Sequence, residues 1–224
     1  EAQAQPPWHG HAKNPRLSGN TSVKIVPPTP EAFIEAAEAL RAGKIIACPT
    51  ETVYGLAVNP FSDPAIQRLF AAKERSDAKP ILVIVSDISQ VHPLVREISP
   101  RAQACIDAFW PGPLSLLLPK HDAVPDVLTA GQPKICVRCT ACPIARGLCQ
   151  AFGGAVTSSS ANLSNQPPAR SLEEVTIQDV ALGIDGGMLP PSMPSTVFDP
   201  DEIRVIREGC ITADVLLKFS EHFG

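Results

Sequence analysis

Pro49-Thr50-Glu51-Thr52-Val53-Tyr54-Gly55-Leu56 follows directly on the largely apolar run Lys44 to Cys48. So short and apolar a run predicts a buried strand. Pro49 fixes its own φ and pushes Cys48 towards an extended conformation, so the strand is expected to end there. Gly55 has no Cβ, which lets the backbone turn sharply or come close to a ligand. Thr50, Glu51, Thr52 and Tyr54 therefore stand at a strand end, where open α/β sheets bind small molecules. A capped loop carries the same residue types. The stretch marks a candidate site only if other parts of the chain supply partners for it.

Outward from this stretch, the pattern is one of alternating elements. Val23 to Val26 reads as an edge strand. Thr29-Pro30-Glu31 opens a helix with a capping hydroxyl, a proline in its first turn and an acid near the positive end of the dipole. Phe33, Ile34, Ala37 and Leu40 fall at helical spacing before a stop at Gly43. Helices are predicted from Asp63-Pro64, Ser99-Pro100, Pro143 and Thr212, and strands at Ile81–Val85, Leu114–Leu118, Ile135–Arg138 and Ala155–Thr157. Ser171 to Glu174 has the form of a capping box. Strands at Ala181–Ile184, Thr196–Phe198 and Ile203–Ile206 lie too close together for helices between them. The expectation is one α/β domain from residue 23 to 224, with an open, twisted, mixed sheet and helices packed on it. Residues 1–22, rich in Pro, Gln, Asn, Gly and Ser and lacking periodicity, read as a disordered extension. The opening Glu in place of Met suggests a processed or non-native start.

Composition narrows the function classes. A chain of 224 residues with 44% hydrophobic and 19% charged residues suits a globular protein with a sizeable core. A net charge of −4 gives no global pull towards nucleic acid, and 5% aromatic content argues against stacking platforms for single strands. No apolar run is long enough to span a bilayer, so no membrane partner is expected. The seven cysteines, an odd number lying mostly in apolar runs, point to reduced thiols and a cytoplasmic setting. Cys136, Cys139 and Cys142 have the spacing of part of a cluster-ligand run, with Cys149 a possible fourth. Strand alternation sends Cys136 and Cys139 to opposite faces, so core packing is preferred and no protein-bound metal is expected.

Three polar clusters each follow an apolar segment. The first is the Thr50–Tyr54 stretch. The second is Lys73, Arg75 and Lys79, either a clamp for phosphate or carboxylate or a solvated helix end. The third is Ser158 to Asn162, either an anion or nucleotide cradle or a simple turn. Neither a GxxxxGK[ST] loop nor a GxGxxG fingerprint is present, so a nucleotide would be held by other means. Ser158 to Ser160 lack the glycines of a nucleophile elbow, which disfavours a serine hydrolase. The five histidines lie outside all three clusters.

Taken in order, PTETVYGL, the pair KER and SAN (Lys73, Arg75, Ser160, Asn162), FWPGPLSLLL from Phe109, ICVRC around Arg138, PSTVFD around Ser195 and IREG at Ile206–Gly209 resemble the YrdC-like family of threonylcarbamoyl-adenylate synthases. The resemblance runs from about Val23 to Gly209 and implies the single-domain form with a large, basic cavity. It also implies a reaction in which L-threonine, bicarbonate and ATP give threonylcarbamoyl-AMP and pyrophosphate. The product supplies downstream threonylcarbamoyl transferase proteins that modify tRNA. By the same resemblance, Lys73 and Arg75 are catalytic and bind the phosphates of ATP, with Lys79, Ser160, Asn162 and Arg207 completing the nucleotide site. Thr52, Arg138, Ser158 and Ser195 bind threonine, with Arg138 on its carboxylate, and Mg²⁺ accompanies ATP through phosphate oxygens. Glu51, a carboxylate facing anionic substrates, would need a cation to offset it.

This chain has Lys79, Ile84, Ser115 and Cys139-Thr140-Ala141-Cys142 where family members often have Asn, His, Thr and Val-Pro-Asp-His. The alternatives are a non-catalytic module binding tRNA or double-stranded RNA, and a paralogue acting on another amino acid or carbamoyl donor.

Overall fold

The computed structural model describes residues 23–74, 79–163 and 166–221. The expected N-terminal extension lies outside the described residues. In chain order the elements are β1 (Lys24–Val26), α1 (Pro30–Arg41), β2 (Ile45–Pro49), β3 (Tyr54–Ala57), α2 (Asp63–Ala72), β4 (Val83–Val85), α3 (Pro100–Phe109), β5 (Leu114–Pro119), a single turn α4 (Asp126–Thr129), β6 (Lys134–Cys139), α5 (Pro143–Phe152), β7 (Val156–Thr157), β8 (Ser159–Ser160), β9 (Val180–Ile184), β10 (Thr196–Asp199), β11 (Arg204–Arg207) and α6 (Ala213–Ser220).

Local chemistry sets the helix starts. Thr29, Ser62 and Ser99 each accept the backbone N–H three residues on, with a proline in the first turn of the helix that follows. Two expected caps differ. Ser171 precedes only a single 3-10 turn, Leu172–Glu174, too short for the reciprocal capping pattern. There Glu174 instead accepts from the Arg170 N–H, and the buried Ser171 hydroxyl has no partner. Thr212 makes no side-chain cap, and Glu208 accepts from the Ala213 N–H in its place.

The strands form two mixed sheets where one was expected. The first has the order β1-β9-β2-β3-β8 and the second β11-β10-β5-β6-β4-β7. β2 is buried along its whole length. Ile45 and Ala47 enter a core that the second sheet shares, while Ile46 and Cys48 pack against Ala36, Leu40, Ala145 and Leu148 of α1 and α5. This two-residue alternation places α1 and α5 on one side of β2, and on the other a core shared with α2 and most of the second sheet.

Two local features position the site. The stretch after β2 is the turn of an antiparallel hairpin, because Pro49 pairs with Tyr54 and Cys48 with Gly55. Later, β7 pairs with β4 in the second sheet, and β8 pairs with β3 in the first. The chain thus passes from one sheet to the other at Ser158, whose N–H donates to the Leu82 carbonyl at 2.7 Å.

Candidate active site between the two sheets

The Thr50–Val53 turn is held by its own threonine. Thr50 Oγ1 donates to the Val53 carbonyl at 2.8 Å and accepts from the N–H groups of Thr52 and Val53. Thr52 Oγ1 lies 3.1 Å from Thr50 Oγ1. The carbonyl of Thr52 accepts from Ser192 Oγ at 3.0 Å, which ties the turn to the segment before β10. Tyr54 points the other way. Its fully buried hydroxyl donates to the Gly187 carbonyl and accepts from the Gly186 N–H, so it anchors that segment and is absent from the cavity wall.

Between the sheets lies a cavity of about 510 Å³, a volume typical of small-molecule sites. The first sheet and the sheet-switching segment contribute Thr52, Ser158, Ser160 and Asn162, and the second sheet with its loops contributes Arg138, Ser195 and Arg207. Seven residues expected from separate motifs therefore meet on one cavity. Gly55 faces the same space, and a Cβ there would come within 2.9 Å of Ser158 Oγ. The lining hydroxyls are partly pre-ordered: Ser115 Oγ donates to Ser195 Oγ at 2.9 Å, and Arg207 donates to the Ser195 carbonyl at 2.9 Å. Asn162 donates its amide to the carbonyls of Leu163 and Gln166, leaving its buried Oδ1 without a partner.

Arg138 and Arg207 are the charged side chains lining the cavity among the described residues. Arg138 is 2% exposed. Burial lowers its pKa, and the Glu51 carboxylate acts in the opposite direction. Glu51 Oε1 lies 3.5 Å from Arg138 Nη1, and Oε2 accepts from Thr140 Oγ1 at 2.6 Å. Cys136, two residues earlier on β6, also faces the cavity, and burial pushes its thiol up to about 12. Cys139 lies on the opposite side, with its sulfur against the Ser86 carbonyl, as strand alternation requires.

The expected cation cluster divides. Lys73, at the end of α2, is 3% exposed and donates to the backbone carbonyls of Ser160 and Asn162. It packs behind the wall that those residues form and does not itself line the cavity. Lys79 is exposed and does not itself line the cavity, although the next residue, Pro80, does, while Arg75 lies outside the described residues. Sequence reasoning missed three participants: Ser192, the Ser115–Ser195 bond and the pairing of Glu51 with Arg138. Ser192 sits in a Pro- and Gly-rich segment without periodicity, so it carried no signal. Glu51 was singled out as a carboxylate in need of a cation, and that cation is Arg138.

The chain is similar to known proteins in both sequence and fold. Residues 38–209 match the family model Sua5/YciO/YrdC, described as telomere recombination. A Methylococcus capsulatus protein named threonylcarbamoyl-AMP synthase is 45% identical over 175 residues, covering 77% of this chain and 94% of that protein. A protein of the same name from Alkalilimnicola ehrlichii is 39% identical over 79% of this chain and 92% of its own. Among solved structures, P. abyssi Sua5 complexed with L-threonine superposes with a TM-score of 0.83 at 33% identity, covering 89% of this chain. The present chain spans 61% of that protein's length. E. coli YciO, at 24% identity and a TM-score of 0.74, shares the fold. The family match runs through every wall of the cavity, from the hairpin to Arg207: the chain belongs to the Sua5/YciO/YrdC family.

Proposed function

We propose that this chain is a threonylcarbamoyl-AMP synthase, a nucleotidyltransferase that makes threonylcarbamoyl-AMP and pyrophosphate from L-threonine, bicarbonate and ATP. The observation that carries the reading is the convergence of Thr52, Arg138, Ser158 and Ser195 with Ser160, Asn162 and Arg207 on one cavity, in a chain 45% identical to a protein of that name.

The threonine amine combines with bicarbonate, losing water, to give a carbamate. A carbamate oxygen attacks the α-phosphorus of ATP and pyrophosphate leaves. Little covalent work falls to the protein; it must bring two anions together and offset their charge. In this reading Arg138 pairs with the threonine carboxylate, and Thr52, Ser158 and Ser195 hold the rest of the amino acid. Ser160 and Asn162 hold the nucleotide, with the open Oδ1 of Asn162 an acceptor for one of its N–H or O–H groups. Arg207 and Arg75 meet the phosphates, and Lys79 adds positive charge at the approach. Lys73 contributes by fixing the carbonyls of Ser160 and Asn162 and by its charge behind that wall.

No carboxylate is found among the described residues that line the cavity, so its donor set does not suit a protein-held Mg²⁺. The ion enters as the ATP complex, through phosphate oxygens. The product passes to a separate transferase that modifies tRNA. We assign the reaction to the cytoplasm, where the seven free cysteines stay reduced.

The test is to incubate the protein with ATP, bicarbonate and labelled L-threonine and to follow pyrophosphate and the labelled adenylate. Threonine-dependent formation of both is expected. Absence of any threonine-dependent product would overturn the reading, and salt-sensitive RNA binding without turnover would favour a binding module.

A further inference from the structure

Glu51 is ionisable, largely buried and unused by the mechanism above. It projects from the hairpin turn of the first sheet, while its two partners belong to the second sheet. Arg138 is on β6, and Thr140 follows that strand. One carboxylate oxygen is committed to the Thr140 hydroxyl at 2.6 Å. The other faces Arg138 Nη1 at 3.5 Å and, although buried, makes no hydrogen bond. Arg138 Nε is likewise buried without a partner. Two opposite charges thus lie close together with hydrogen-bonding capacity unused on both, a costly arrangement in an interior. Arg138 lines the cavity and Glu51 does not, so Glu51 meets the guanidinium from outside the cavity wall.

We propose that Glu51 is a positioning residue for the substrate-carboxylate site: anchored by Thr140, it holds the Arg138 guanidinium in one orientation and leaves its remaining donors for an α-amino-acid carboxylate entering the cavity. The incoming carboxylate supplies the short, charge-assisted hydrogen bonds that Glu51 does not. The contact also links the two sheets, so the guanidinium is set before the amino acid arrives and binding does not have to order it. The inference rests on the proposed function only in naming threonine as the owner of the carboxylate.

Glu51→Gln keeps the shape and an acceptor for Thr140 but removes the charge, and Glu51→Asp keeps the charge on a shorter stem. Two measurements are made on the full chain. The first is the ¹⁵N NMR spectrum of the Arg138 guanidinium. Its Nη signals should be separately resolved in the wild type, averaged in Glu51→Gln and intermediate in Glu51→Asp. The second is steady-state kinetics. In Glu51→Gln, kcat/KM for threonine should fall at least about tenfold, the scale of one charged hydrogen bond, while KM for ATP stays within about twofold. Unchanged guanidinium signals in Glu51→Gln would overturn the inference, as would equal losses for threonine and ATP, which mark general loosening. A wild type without threonine turnover would defeat the functional reading alone; the guanidinium spectrum would still decide the role of Glu51.

Discussion

Lys73 and Arg138 are both cations withdrawn almost completely from water, at 3% and 2% exposure, yet their surroundings differ. Lys73 donates to two backbone carbonyls, those of Ser160 and Asn162. Arg138 has a carboxylate at 3.5 Å and an Nε without a partner. A buried ammonium with carbonyl acceptors belongs to the scaffold, where it fixes backbone. A buried guanidinium with open donors is poised for something outside the chain. The family resemblance gives both cations a ligand, phosphate for Lys73 and carboxylate for Arg138; their hydrogen bonds separate them.

The largest test of this contrast is Arg138→Ala. It removes the carboxylate partner and strands Glu51 as a buried, unpaired charge, so kcat/KM for threonine should fall by at least about 100-fold and stability by about 3 kcal/mol. Kinetics with threonine varied, together with urea unfolding, would show both effects. Adding Glu51→Gln to Arg138→Met should restore most of the stability and none of the activity. Lys73→Met should act through the wall instead, lowering turnover by about 2 kcal/mol, or roughly 30-fold. KM for ATP should then rise more than KM for threonine; the reverse order would erase the distinction between the two cations.

Gly209→Ala probes the segment carrying Ser195, because its Cβ would stand 2.0 Å from the Pro194 carbonyl oxygen. Backbone must shift, and a loss of about 1–2 kcal/mol is expected in thermal unfolding. Thr52→Val deletes one hydroxyl at the cavity edge and should raise KM for threonine about fivefold, the scale of one neutral hydrogen bond.

The last test concerns pH. Burial raises the thiols of Cys105 to about 11 and of Cys136 and Cys149 to about 12, from an ordinary value of 9.0. Unfolded thiols ionise first, so the stability from these groups is complete below pH 9 and is lost as pH rises towards 12. Unfolding free energies should therefore be insensitive to these cysteines at neutral pH and decline above about pH 9. Replacing Cys149 with Ala should flatten that decline.

Much of the fold was legible because its signals are local. Thr29-Pro30 and Ser99-Pro100 start helices wherever they stand, and Pro143 to Phe152 forms the helix its spacing predicts. The hairpin was harder to read. Tyr54-Gly55-Leu56-Ala57 carries a glycine inside a strand, and the turn before it lacks the usual Asn-Gly signal. The division of the strands into two sheets was not legible, because β7 and β8 are two-residue strands assigned to different sheets only by their distant partners.

The sequence by itself determined the order of helices and strands, the family resemblance and the residue types of the site, since propensity, capping and motif spacing act over a few residues. Only the tertiary structure decided that Pro49–Leu56 is a hairpin facing β6 across a cavity, that Lys73 donates to the carbonyls of Ser160 and Asn162, and that Glu51 stands against Arg138. Those outcomes depend on how two sheets pack, which brings together residues far apart in the chain and sets which buried charges are satisfied and which remain open.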